Sequence, residues 1–392
     1  LLLAGLATIG PFAIDTYLPS FPSIGRDFAV DELYVQQTLS AYMGFFGVMT
    51  LFHGALSDSF GRRPVILLNL LLFVVASIGC ALASSIDALL ACRALQGVSA
   101  GAGIVVGRAI IRDTYDGPMA QRLMSQVTML FSLAPAVAPV IGGLLDIAFG
   151  WRSIFVFLMV FALLLWAGCA WRLPETLPPQ DRQPFRARPL LASYRQVFGS
   201  PRFAMLALAV AFNFAGFFIY VVSAPAVVYR HLGLSATDFA WMFVPGIGGV
   251  MIGAWLSGRL AGRVTPERTV ALGYAVMTVA AVASILYHLS WPPGVPWTVL
   301  PLMVYSLGMA LAMPSITLLA LDLFPRNRGM AASVQGFTQS MCNALLAGVV
   351  SPLVAGTQLS LATTAGVAMV LGAACWLTYL RLVRRDGGVT TA

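Results

Sequence analysis

Two charged residues of this 392-residue chain stand where charge is costly. Asp15, in Asp15-Thr16-Tyr17-Leu18-Pro19, and Arg93, in Arg93-Ala94-Leu95-Gln96-Gly97, each interrupt an otherwise apolar run. A charged side chain at such a position is read as functional until shown otherwise. A carboxyl in low dielectric favours its neutral form, whereas a guanidinium beside it favours the ionised one. Together they could set a proton affinity that changes with conformation. Both lie about seven residues inside the same end of their runs, so a close pair is geometrically reasonable. The other reading stays open, in which Arg93 snorkels outward and Asp15 caps a helix broken at Pro19.

The elements that hold these residues are read from composition. Hydrophobic residues make up 59% and charged residues 10%, more apolar surface than a soluble domain buries, so lipid is the solvent. Apolar runs long enough to cross a bilayer recur near 1–21, 33–56, 65–84, 87–112, 120–146, 152–172, 203–229, 237–260, 268–289, 297–322, 328–354 and 361–383. None resembles a cleavable signal peptide, and the apolar start at Leu1 implies a short preceding segment. The net charge of +8 comes from arginine alone, there being no lysine. The arginines collect in alternate loops (Arg62, Arg63, Arg112, Arg122, Arg172, Arg182 on one side; Arg26, Arg152 and Arg230 on the other). That asymmetry places both termini in the cytoplasm and assigns the basic charge to membrane orientation, with no nucleic-acid partner.

The longest polar stretch divides the chain into a six-helix bundle at 1–172, a loop at 173–202 and a second bundle with a short cytoplasmic tail at 203–392. Gly61-Arg62 is echoed by Gly262-Arg263, and Pro19 by Pro225, the weak internal symmetry of a secondary transporter. Val221 falls where Asp15 has its counterpart, which confines coupling chemistry to the first half. The five cysteines are scattered singly, and the three histidines form no metal-binding or hydrolytic motif. A membrane enzyme therefore lacks its constellation, no cofactor is expected, and the chain reads as a monomer.

The loop Gly54-Ala55-Leu56-Ser57-Asp58-Ser59-Phe60-Gly61-Arg62-Arg63-Pro64 closely resembles the most diagnostic motif of the major facilitator superfamily. The resemblance implies a conformational latch carried by Gly54, Asp58, Gly61, Arg62 and Arg63; in the second half Arg259 replaces the aspartate. In the fifth span Pro135, Pro139, Gly142 and Gly143 are similar to the superfamily's antiporter motif, with Ala138 in place of its usual glycine. With Glu175–Phe185, these segments look like the bicyclomycin and chloramphenicol resistance (Bcr/CflA) subfamily of drug/proton antiporters. That resemblance implies an all-α major facilitator fold: twelve transmembrane helices in two six-helix bundles around a central cavity, in a bacterial inner membrane. It further implies export of small, largely apolar antibiotics in exchange for protons by alternating access. A proton-coupled importer of a nutrient or metabolite on the same fold is the alternative. Tyr17, Tyr42, Phe46, Gln126, Asn213, Phe217, Tyr220 and Gln339 are the candidates to meet a ring-containing drug with a few hydrogen bonds.

Overall fold

The structure is a computed structural model that describes residues 2–115, 117–182, 187–325 and 328–387. Among the described residues there is no strand. With water excluded, only a helix satisfies its own backbone while crossing a bilayer. The α-helices are α1 (Leu2–Asp15), α2 (Phe21–Phe28), α3 (Glu32–Phe60), α4 (Arg62–Ala81), α5 (Ile86–Ala100), α6 (Ala102–Thr114), α7 (Gly117–Phe149) and α8 (Arg152–Arg172). They continue as α9 (Ala187–Phe198), α10 (Pro201–Val222), α11 (Ala240–Leu260), α12 (Pro266–Ser290), α13 (Leu300–Asp322), α14 (Arg328–Leu345), α15 (Ser351–Val354) and α16 (Gln358–Gly387).

Local chemistry explains where these helices begin. Ser85, Ser200 and Thr265 accept hydrogen bonds from the backbone N–H three residues on, and Pro201 and Pro266 open their helices where no N–H is needed. Gly61, at φ +100°, turns α3 directly into α4, and Gly262, at φ +74°, lies in the turn 261–265 between α11 and α12.

Among the described residues eleven segments are long and apolar enough to span a membrane, and Leu133–Phe149 of α7 is a shorter apolar stretch. The first and fourth spans are each made of two helices, interrupted at Thr16–Ser20 and at Gly101.

The fold divides into two compact units, Leu1–Arg186 with Ser235–Ala240, and Ala187–Leu234 with Trp241–Ala392. In the first, α3 packs on α5, α4 on α5 and α8, and α1 on α7; in the second, α10 packs on α13, α14 and α16, and α12 on α13. The loop at 173–202, read from the sequence as polar linker, forms α9 over part of its length, and Val197 of that helix is buried.

Candidate functional site

Span one breaks where Pro19 can offer no N–H to continue the α-helical ladder. The break takes the form of a 3-10 turn, Leu18–Ser20, and leaves Asp15 as the last residue of α1. Asp15 is 4% exposed, and no hydrogen bond or ion pair holds its carboxyl among the described residues. Beside it the backbone of Thr16 meets α7. A methyl group on Gly142 would overlap the Thr16 carbonyl, and one on Gly143 that of Ala236, in the same unit. Gly142 and Gly143 thus supply the two bare faces on which span one and Ala236 rest, while Pro135 and Pro139 lie within α7, where prolines bend a helix.

The ion pair expected between Asp15 and Arg93 is not formed. Arg93, completely buried, lies instead with its guanidinium carbon 4.6 Å from the Tyr17 ring centre and 4.5 Å from that of Tyr42. Its Nη1 donates to Gln96 Oε1 at 2.8 Å, Gln96 Nε2 donates to Ser77 Oγ at 2.8 Å, and Ser77 donates to the Phe73 carbonyl at 2.7 Å. Its Nε and Nη2 have no partner. Tyr17 shares a 2.7 Å hydrogen bond with Thr38. Tyr42 stands within electrostatic reach of both Arg93 and Asp15. The physical reason for the difference is the helix break: it turns Tyr17 onto Arg93, so the aromatic faces take the cation and the carboxyl stays apart.

Gly97 allows this geometry, because a side chain there would overlap the Tyr42 carbonyl and hold α3 away from α5. Gly54, by contrast, has only Val105 Cγ1 at 3.9 Å. Gly54→Ala is therefore expected to leave the melting temperature unchanged, whereas Gly142→Ala should cost about 1–3 kcal/mol of stability by overpacking. Thermal unfolding of the two purified variants side by side checks this; equal behaviour removes the close approach of α7 and Thr16 as a constraint.

The loop from Gly54 to Pro64 is held by more than its own residues. Arg62 Nη1 bonds Asp58 and, at 2.6 Å, Ser57 Oγ, while Nε donates to Asp113 Oδ2 at 2.9 Å. Thr176 donates to the same Asp113 oxygen at 3.1 Å. Glu175 accepts from the backbone N–H of Arg62 at 2.9 Å and of Arg63 at 3.3 Å, capping α4 with a negative charge where the helix dipole favours one. Arg182 stands 3.8 Å from Glu175, and Arg63 reaches the Ala170 carbonyl at 2.7 Å. Glu175→Ala is expected to lower stability by about 1 kcal/mol, the usual cost of losing a cap. An unchanged melting temperature in differential scanning fluorimetry would remove the carboxylate from that role.

Sequence reading missed Asp113, Thr176 and Asp146. Asp146, one turn after Gly142 on the same face of α7, accepts from Ser23 Oγ at 2.7 Å and so ties the far end of span one to α7. Its signal was an acid four residues beyond a packing glycine. Arg108, exposed on α6, was likewise passed over.

Of the drug-contact candidates, Tyr17, Tyr42 and Asn213 are fully buried, and Phe217 and Tyr220 nearly so. Phe46, stacked on Tyr42 at 6.1 Å, and Gln339 are half-buried, and Gln126 is exposed. The structure gathers Tyr17, Tyr42 and Phe46 around Arg93 in the first unit, and Phe217, Tyr220 and Asn213 on α10 in the second.

The Major Facilitator Superfamily model matches residues 3–352. The chain belongs to the Major Facilitator Superfamily. Among relatives in that superfamily, multidrug resistance protein D of Escherichia coli is 31% identical, covering 99% of this chain and 97% of its own. The bicyclomycin resistance protein homolog of Haemophilus influenzae is 29% identical, covering 98% and 96%. The crystal structure of a bacterial homologue of the human lysosomal transporter Spinster superposes with a TM-score of 0.73 over 98% of this chain and 96% of that one, at 18% identity. The fold is thus a major facilitator fold, and the chain a multi-pass membrane protein.

Proposed function

We propose that the chain is a proton-coupled exporter of small, largely apolar drugs of the bicyclomycin or chloramphenicol kind. The observation that carries this is Asp15, a buried acid without an ion pair at the break of span one, packed beside the glycines of the antiporter motif. The names of the relatives support the substrate class. The carrier works in a bacterial inner membrane as a monomer with both termini in the cytoplasm, supported by the arginine placement.

In this mechanism Asp15 accepts a proton when the outward-open state is empty and releases it inward, drug and proton excluding one another. Because no cation is bonded to the carboxyl, loading and unloading it break no ion pair. Arg93, fixed between two rings nearby, supplies a constant positive potential that biases this exchange. The latch loop and its Glu175 brace set the relative stability of the alternating states. In the first unit Phe46 and Gln126 keep surface that a drug can touch, with the buried Tyr42 ring stacked behind Phe46, and in the second Gln339 does the same. No bond in the drug is changed, so the work is transport and not catalysis.

A pH unit is worth about 1.4 kcal/mol and 100 mV about 2.3 kcal/mol per charge, so one proton sustains a neutral-drug gradient of several hundredfold. The test uses inverted vesicles with a respiration-driven, acid-inside gradient followed by a fluorescent dye. Chloramphenicol should collapse the gradient only when the protein is present. If neither it nor bicyclomycin acts, the drug reading fails and import of a metabolite takes its place.

A further inference from the structure

The two copies of the Gly-Arg turn have different fates. In the first unit Arg62 is drawn inward by Asp58, Asp113 and the Ser57 hydroxyl. In the second unit the same offset gives Gly258, Arg259, Gly262 and Arg263, so a glycine stands in place of Ser57 and an arginine in place of the aspartate, and Asp322 is already held by Arg328 at 2.6 Å. Nothing pulls Arg263 in. Its exposed side chain has no hydrogen bond or ion pair among the described residues. A cleft of about 680 Å³ opens instead between the end of α11, the turn, the start of α12 and α13 near Pro314.

The cleft has the chemistry of an anion site. Arg263 stands at it, the 25-residue helix α12 begins in its wall, and the N-terminus of such a helix carries partial positive charge. Ser257, 8% exposed, lines it, and its hydroxyl has no partner among the described residues. Arg259 and Arg268 add charge next to it; of the acids nearby, Asp322 in its wall is paired with Arg328, and Glu267 is exposed at the start of α12. The space exceeds what a free phosphate needs. One side runs onto the exposed apolar Leu318, and Trp255, with Arg259 4.2 Å from its ring centre, marks the level where headgroups meet hydrocarbon.

We propose that this cleft binds the headgroup of an anionic phospholipid of the phosphatidylglycerol class, with Arg263, Ser257 and the α12 N-terminus on the phosphate and Leu318 along the acyl chain. The full chain in detergent, titrated with phosphatidylglycerol, phosphatidylcholine or inorganic phosphate, is read by native mass spectrometry. The first phosphatidylglycerol adduct should form at least fivefold more readily than the phosphatidylcholine adduct. Arg263→Ala should reduce it at least threefold, and Arg384→Ala, in α16, should not. Gly258→Leu should match Arg263→Ala: nothing lies within 4 Å of an added Cβ at Gly258, so the side chain fills the cleft without straining the fold. Equal adducts for both lipids, or wild-type binding by both Arg263→Ala and Gly258→Leu, would overturn the site. Displacement of phosphatidylglycerol by millimolar phosphate would overturn the lipid in favour of a soluble anion.

Discussion

Asp15→Asn is expected to abolish drug-driven proton movement while leaving the protein folded. The amide has nearly the shape of the carboxyl, and no hydrogen bond to Asp15 is lost, since none is made among the described residues. What disappears is the only proton-binding atom pair at the break of span one. Coupling worth several kcal/mol then falls to zero, because an amide cannot carry the proton on which the gradient acts. In inverted vesicles the drug-dependent dye signal should drop at least tenfold, while drug binding measured by tryptophan quenching stays within a few-fold of wild type. A variant that still dissipates the gradient would move the coupling acid elsewhere in the first unit, with Asp146 on α7 the next residue to replace.

Arg93→Met should separate function from stability in the opposite sense. Removing a charge from water costs several kcal/mol. Against that cost Arg93 has one hydrogen bond, to Gln96, and two tyrosine faces worth about 0.5–2 kcal/mol each, while two of its nitrogens go unbonded. On balance the guanidinium adds little to the fold, and a methionine of similar length is expected to keep the melting temperature or raise it. Transport should nevertheless fall at least tenfold, because the fixed positive potential near Asp15 is gone. Arg93→Lys is expected to fail as well, since an ammonium cannot lie flat between two rings and reach Gln96 at once. If Arg93→Met instead unfolds the protein by several degrees, the arginine is a structural pin and its functional role falls.

The apolar spans and the tight Gly61-Arg62 turn were legible because each is a local pattern. Apolar run length reports the bilayer, and Gly61-Arg62 reports a tight turn whatever surrounds it. Asp15 and Arg93 stood out by charge within apolar runs for the same reason. Their partners did not. Matching depth along two helices says nothing about rotation around them, and the break at Thr16–Ser20 rotates Tyr17 onto Arg93. Likewise Glu175 was visible as part of a family-like stretch, but its capping of α4 joins residues 113 positions apart.

Alone, therefore, the sequence determined that the chain lives in lipid, which ends face the more basic side, and which few polar groups the membrane must tolerate. Those follow from transfer free energies and steric rules that act on short segments. Only the tertiary structure decided which polar groups meet: the aromatic cage of Arg93, the solitary Asp15, the bond from Ser23 to Asp146, and the cleft beside Arg263. Such pairings depend on helix rotation and close approach, set by glycines such as Gly97 and Gly142 against a distant backbone, and no local pattern encodes the partner.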